Sequence, residues 1–227
     1  MKILIVAASW MEARLIADEL KQYQKTNNKY YKYHYAGNDI DILVTGIGVI
    51  SATFHLTSVL HENFYNLVLN IGIAGSLNRN LKIGEVVNVV SEEFADLGIE
   101  KEDGFSTLFE TGFLHPNEFP FEGGLLKSSF TNGWLELKKV HGVTSSKYHT
   151  HKKKHSNFQE KLAADVENME GAAVFYVCHN LNFPCLQIRA ISNYITPEGP
   201  AEWDIPLALV NLKSSILKQI QSIAVPV

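Results

Sequence analysis

Four short apolar runs stop abruptly on glycine or on a polar residue, and this punctuation constrains the fold more than any other feature of the chain. Residues 2–8, KILIVAA, are closed by Ser9-Trp10 with Glu12 just behind. DIDILVT, 39–45, runs straight into Gly46-Ile47-Gly48. LVLNI, 67–71, runs into Gly72-Ile73-Ala74-Gly75-Ser76, and Cys185 to Ile191 ends on Ser192-Asn193. Apolar runs rich in β-branched residues suit strands buried on both faces. Between them lie segments with helical spacing. Glu12 to Gln22 puts Ala13, Leu15, Ile16 and Leu20 on one side, Val49 to Leu60 and Met169 to Cys178 read as helices, and Pro206 to Ile223 is amphipathic. Strands alternating with helices imply an α/β fold in three layers, α/β/α, around a twisted, mostly parallel mixed central sheet. Ligands in such sheets sit beyond the carboxyl ends of the strands. Glu12, both glycine segments and Asn193 all fall there.

Composition narrows the class. Of 227 residues, 46% are hydrophobic and 19% charged, enough apolar material for a packed core, and a single domain over 1–227 is expected. The net charge of -4 argues against a general nucleic-acid binder. Ile3 to Ala8 is too short to span a bilayer or to serve as the apolar region of a signal peptide. Cys178 and Cys185 lie in apolar surroundings and imply no disulfide framework, so a cytoplasmic enzyme is expected. His149 and His151 lack metal-ligand spacing with other residues, and no metal or cofactor is expected.

Elsewhere, Lys21 to Lys32 reads as a polar, Tyr-rich loop entering a strand near Tyr31–Tyr35, with further strands at Gly84–Val90 and Leu135–Ser145. Seven of the twelve phenylalanines lie between Glu92 and Asn132, broken by glycine and proline, the pattern of a functional loop or binding surface. Lys147 to His155 is basic and reads as a solvated face.

The polar residues at the strand ends each admit a structural and a chemical reading. Glycine turns let backbone amides approach a ligand, or simply make tight turns. Gly46-x-Gly48-x-x-Ser51 approaches a dinucleotide fingerprint, but it lacks the third glycine and an acidic residue on a following strand. Glu12, like Glu167 and Glu170 near the start of a later helix, is explained by the macrodipole alone. The apolar company of Glu170 (Met169, Gly171, Ala172, Ala173) tips that residue toward binding, because a carboxylate there must be paired or occupied. A carboxylate can accept two hydrogen bonds from vicinal hydroxyls, as on ribose. Asn193 is a turn residue or a bidentate amide facing a base. Arg189 is expected to pair with a carboxylate.

KILIVAASWMEA at 2–13, TGIGVISA at 45–52, NIGIAGSL at 70–77, VENMEGAA at 166–173 and NFPCLQIRAISN at 182–193 together resemble the purine nucleoside phosphorylase/nucleosidase superfamily. The resemblance implies cleavage of an N-glycosidic bond in a pocket at the strand ends, often completed by a second subunit, so a homodimer or larger homo-oligomer is expected. It implies that Glu12 activates water and that Glu170 binds the ribose hydroxyls with Met169 beneath the sugar. Ile73, Ala74 and Gly75 would line the pocket. Ile73 stands where phosphorylases carry a hydroxyl, which points to water rather than phosphate as nucleophile. Adenine-cleaving members place Asp where this chain has Asn193, and a neutral amide suits a 6-oxopurine. With ADLGIEKEDGF at 95–105, the chain looks like the futalosine hydrolases, whose substrate carries an aromatic carboxylate on its 5′ side. The Phe-rich loop, Phe105 included, would cover that group, and Lys147, His149 and His151 are candidate cations for it. The alternatives are a methylthioadenosine/S-adenosylhomocysteine nucleosidase, a phosphate-using phosphorylase, a nicotinamide-binding oxidoreductase and a non-catalytic nucleoside-binding protein.

Overall fold

Ile3, Leu4, Ile5 and Val6 are all buried, the environment that an apolar run without alternation requires. They form β1 (Lys2–Ala7), which pairs in parallel with β4 (Asn38–Val44) on one side and β5 (Leu67–Ser76) on the other. The structure is a computed structural model that describes residues 1–25, 29–102, 104–130, 136–147, 163–195 and 203–223. The main sheet has ten strands, in the order β11-β10-β6-β12-β5-β1-β4-β3-β2, with β9 pairing to β6. The remaining strands are β2 (Lys21–Lys25), β3 (Tyr30–Tyr35), β6 (Val86–Phe94), β9 (Leu126–Lys127), β10 (Lys138–Thr144), β11 (Val166–Asn168) and β12 (Cys185–Tyr194). Its central run, β12-β5-β1-β4, is parallel. Antiparallel pairings join β12 to β6, β11 to β5 and the β2-β3-β4 edge, so the sheet is more evenly mixed than the sequence suggests.

Helices cover both faces. Ala13 and Ile16 of α1 (Trp10–Ala17) and Ala208, Leu212, Ile216 and Ile220 of α4 (Ile205–Ile223) pack on one side. Leu56 and Leu60 of α2 (Val49–Glu62) and Ala172, Val174, Phe175 and Cys178 of α3 (Gly171–Asn180) pack on the other. Burial of each Leu or Ile contributes about 1.5–3 kcal/mol, so these stripes hold the layers together. No helix among the described residues is long and apolar enough to cross a membrane.

β11 pairs with both β10 and β5, which closes the ring β5-β12-β6-β10-β11. Bulges at Ser192 of β12 and Val90 of β6 let the strands bend. Ala74, Val87, Val89, Val140, Val166 and Ile191, drawn from all five strands, form one apolar cluster. The carboxyl ends of β5 and β12 and the short β11 therefore meet at one rim.

Several segments differ from the sequence reading. α1 stops at Ala17, and Lys21–Lys25 forms an edge strand instead of the end of a helix or a loop. An edge strand draws its order from a neighbour and tolerates polar sequence. Gly72–Ser76 continues β5 and is not a turn. Glu167 lies on a strand rather than at a helix start. The Phe-rich stretch begins as the end of β6 and folds into a separate ribbon of β7 (Gly98–Lys101) and β8 (Gly104–Thr107). Phe121 is buried and meets Phe109 edge-on at 5.2 Å, so those two rings belong to the core, not to a pocket lid. His149, His151 and the rest of the basic run after Lys147 lie outside the described residues.

Candidate active site

Glu12 is held at both carboxylate oxygens. Ser9 caps α1, and its backbone N–H and Oγ donate to Glu12 Oε2 at 2.9 and 2.8 Å. That half is ordinary helix capping. The other half is not: Oε1 crosses to β5 and accepts the Ile73 N–H at 3.1 Å.

Glu170 approaches from the opposite layer. It sits at the N-terminus of α3, and its Oε1 accepts the Gly48 N–H at 3.0 Å. Gly48 has φ 91°, a backbone that L side chains rarely adopt, so glycine there lets the amide point at Glu170. Arg189 Nη2 lies 3.8 Å from Glu170 Oε2. Burial raises the Glu170 carboxyl pKa, Arg189 and the Gly48 amide oppose the rise, and Glu12 adds to it. Gly72 is where the parts meet. A Cβ on Gly72 would overlap Arg189 Nη1 and stand 2.6 Å from Glu12 Oε1. The missing side chain allows an arginine and a carboxylate to occupy one spot beside β5.

Asn193 lies at the bulge of β12, fully buried, opposite Gly75. Its Oδ1 accepts from Ser192 Oγ at 2.9 Å, and its Nδ2 donates to the Tyr194 carbonyl at 3.3 Å. Ala74, beside it, is buried, and Met169 and Ile73 are half-buried at the same rim. Glu12, Glu170, Ile73, Ala74, Gly75, Met169 and Asn193 are thus brought to one end of the sheet. Phe105 lies in the β7–β8 ribbon with its ring against Gly98.

The sequence reading missed the polar support beneath. Asn168 Oδ1 accepts the N–H groups of Glu170 and Gly171 at 3.0 and 2.6 Å and Arg189 Nη2 at 3.3 Å. Its Nδ2 donates to Glu92 Oε1 at 2.6 Å. Glu92 also accepts from Gln187 Nε2 at 2.6 Å and Thr144 Oγ1 at 2.9 Å, and is fully buried, with its carboxyl pushed up to about 7 by that burial. Gln187 is in turn bonded to Asn70. The available signal was Gln187 and Arg189 at alternate positions of an apolar strand, which places two polar side chains on one buried face.

Two buried carboxylates, Glu12 and Glu170, thus lie beside one buried arginine, Arg189, at the strand ends. Residues 2–221 match the family model of the Phosphorylase superfamily, and the chain belongs to that family. Solved structures agree along the whole length. A 5′-methylthioadenosine/S-adenosylhomocysteine nucleosidase of Campylobacter jejuni is 25% identical, with 98% of this chain and 99% of that one covered and a TM-score of 0.77. The corresponding Colwellia psychrerythraea nucleosidase, solved with adenine, is 20% identical, with 97% and 94% covered and a TM-score of 0.79. A futalosine hydrolase mutant of Helicobacter pylori is 22% identical, with 99% and 100% covered and a TM-score of 0.76. Family and neighbours agree on an enzyme that acts on N-glycosyl bonds.

Proposed function

We propose that the chain hydrolyses the N-glycosidic bond of a 6-oxopurine nucleoside, futalosine, giving hypoxanthine and dehypoxanthinyl futalosine on the way to menaquinone. The observation that carries the reading is the bond from the Ile73 N–H to Glu12. A carboxylate already holds that backbone amide. An incoming phosphate would meet negative charge in place of a donor, so water is the nucleophile.

In this mechanism Glu12 takes a proton from water as the water oxygen bonds to C1′. The C1′–N9 bond breaks, and its electron pair passes into the purine. Glu170 keeps one oxygen on Gly48 and offers its remaining acceptor capacity to the ribose hydroxyls, with Met169 beneath the sugar and Arg189 fixing its orientation. N7 of the departing base takes a proton from solvent water, the proton on Glu12 returns to solvent, and Asn193 donates to O6 and accepts from the protonated N7. Ile73, Ala74 and Gly75 form the wall of the pocket. Lys147 remains a candidate partner for the 5′ carboxylate. Phe105, on the β7–β8 ribbon, remains a candidate to cover the 5′ aromatic group.

The nearby methylthioadenosine/S-adenosylhomocysteine nucleosidases favour a second reading, release of adenine. Asn193 separates the two, because an amide is a poor acid for protonating adenine at N7. The proposal also includes a second copy of the chain. Ile47, Ile50 and Phe54, on and just before α2, are 65%, 86% and 65% exposed beside the Gly48 that holds Glu170. A partner seated there would close the site. The direct test is release of hypoxanthine and adenine from futalosine, inosine and methylthioadenosine, with and without phosphate. Hypoxanthine from futalosine without phosphate supports the proposal, and strict phosphate dependence rejects it.

A further inference from the structure

Glu170 stands at the N-cap of α3, yet its side chain makes no capping bond. The first N–H groups of a helix need acceptors, and the N-cap side chain is the usual source of one. Here the acceptors come from other strands. Asn168 Oδ1 takes the Glu170 and Gly171 N–H groups at 3.0 and 2.6 Å, and Thr144 Oγ1 takes the Ala172 N–H at 2.7 Å. With the helix capped by those two buried side chains, the Glu170 carboxylate reaches away from α3 to the Gly48 N–H.

The amide of Asn168 has one satisfactory orientation. Its Oδ1 faces donors: the two backbone N–H groups and Arg189 Nη2 at 3.3 Å. Its Nδ2 faces acceptors: Glu92 Oε1 at 2.6 Å and the Val143 carbonyl at 3.3 Å. Reversing the amide would set its NH2 against three donors and its oxygen against a carboxylate. Glu92 is itself closely confined. A Cβ on Gly142 would stand 2.6 Å from Glu92 Oε1, and a Cβ on Gly171 would overlap it. Glycine at 171 thus lets a buried carboxylate come against the first residue of α3.

We infer that Asn168, its amide oriented by Glu92, is a positioning residue for the sugar: it caps α3 in place of Glu170 and so keeps that carboxylate available to the ribose hydroxyls; this rests on the nucleosidase reading above. Without Asn168, two buried N–H groups at the positive end of α3 draw the adjacent Glu170 carboxylate back toward its own helix. Arg189, 3.8 Å from Glu170, loses its hydrogen bond to the same amide oxygen. Both changes act on the sugar and leave Asn193 and the base untouched.

The test is kcat/KM for futalosine divided by that for its 2′,3′-dideoxy analogue, with hypoxanthine affinity measured beside it. The ratio reports the grip on the sugar hydroxyls and does not depend on the amount of folded enzyme. Asn168→Ala should lower the ratio about 10–100-fold from its wild-type value, the range for a hydrogen bond to a charged group, with hypoxanthine affinity kept. Asn168→Ser, whose hydroxyl fills part of the gap, is the second variant and should lower it in the same direction. Glu92→Leu should act as Asn168→Ala does, and Glu92→Gln, which keeps the acceptor, should restore the wild-type ratio. In a Glu170→Ala background, Asn168→Ala should change the ratio no further. A ratio unchanged in the Asn168 variants overturns this inference while hypoxanthine release by the wild type stands. So does a hypoxanthine affinity that falls along with the ratio. A wild type that releases no hypoxanthine overturns the nucleosidase reading, and this inference with it.

Discussion

Replacing Glu92 with Gln separates the charge of the buried network from its shape. Glu92 takes two hydrogen bonds on Oε1, from Asn168 and Gln187, and one on Oε2 from Thr144. Burial raises its carboxyl to about 7 from the ordinary 4.5, against the opposing pull of those donors and Arg189. Between these two values the folded protein keeps a proton that the unfolded chain has released. Stability must therefore fall as pH rises through that window. The contribution is fully present below about 4.5 and gone above about 7, and at 1.36 kcal/mol per pH unit it amounts to about 3 kcal/mol. Gln cannot ionise. Its Oε1 keeps both amide donors, and its Nε2 can donate to Thr144 Oγ1, so the network survives without the titration. Urea unfolding across the window should show the wild type losing about 3 kcal/mol more than Glu92→Gln. Curves for the two proteins that run parallel to within about 1 kcal/mol would refute the argument. Glu167, also raised to about 7, acts with the same sign in both proteins and cancels from the comparison.

Asn193→Asp should weaken cleavage of 6-oxopurine nucleosides and admit adenine nucleosides, shifting the ratio of the two kcat/KM values by about 10–100-fold. Unchanged selectivity would remove Asn193 as the base reader. Ile50→Asp, at a position 86% exposed, should convert a dimer to a monomer in light scattering and lower kcat/KM. A wild type that is already monomeric contradicts the proposed pairing through α2.

The parts of the fold legible in the sequence are those set by short-range pattern. β1, β4 and β12 appear as apolar runs because both their faces are buried, and α4 appears because its Ala208–Leu212–Ile216–Ile220 stripe repeats at helical spacing. Glu12 and Glu170 stood out as carboxylates at strand ends or in apolar company. What depends on distant partners was hidden. β2 is polar and owes its order to β3. Gly72–Ser76 looked like a turn because its glycines serve close approach by Arg189, Glu12 and Ile195, not a bend. The ring closed by β11 is a matter of pairing over long separations, and so is the meeting of Glu92, Asn168 and Gln187. Phe109 and Phe121 carried an aromatic signal that core packing explains.

Glu12, as the base for water, should act on the chemical step alone. Its most direct test is single-turnover hydrolysis of futalosine by Glu12→Gln, with hypoxanthine affinity measured on the same protein. General-base assistance is worth about 10²–10⁴-fold. A loss of that size in the chemical step is expected with affinity preserved, because Gln keeps an acceptor for the Ile73 N–H. Near-normal turnover by Glu12→Gln would contradict it.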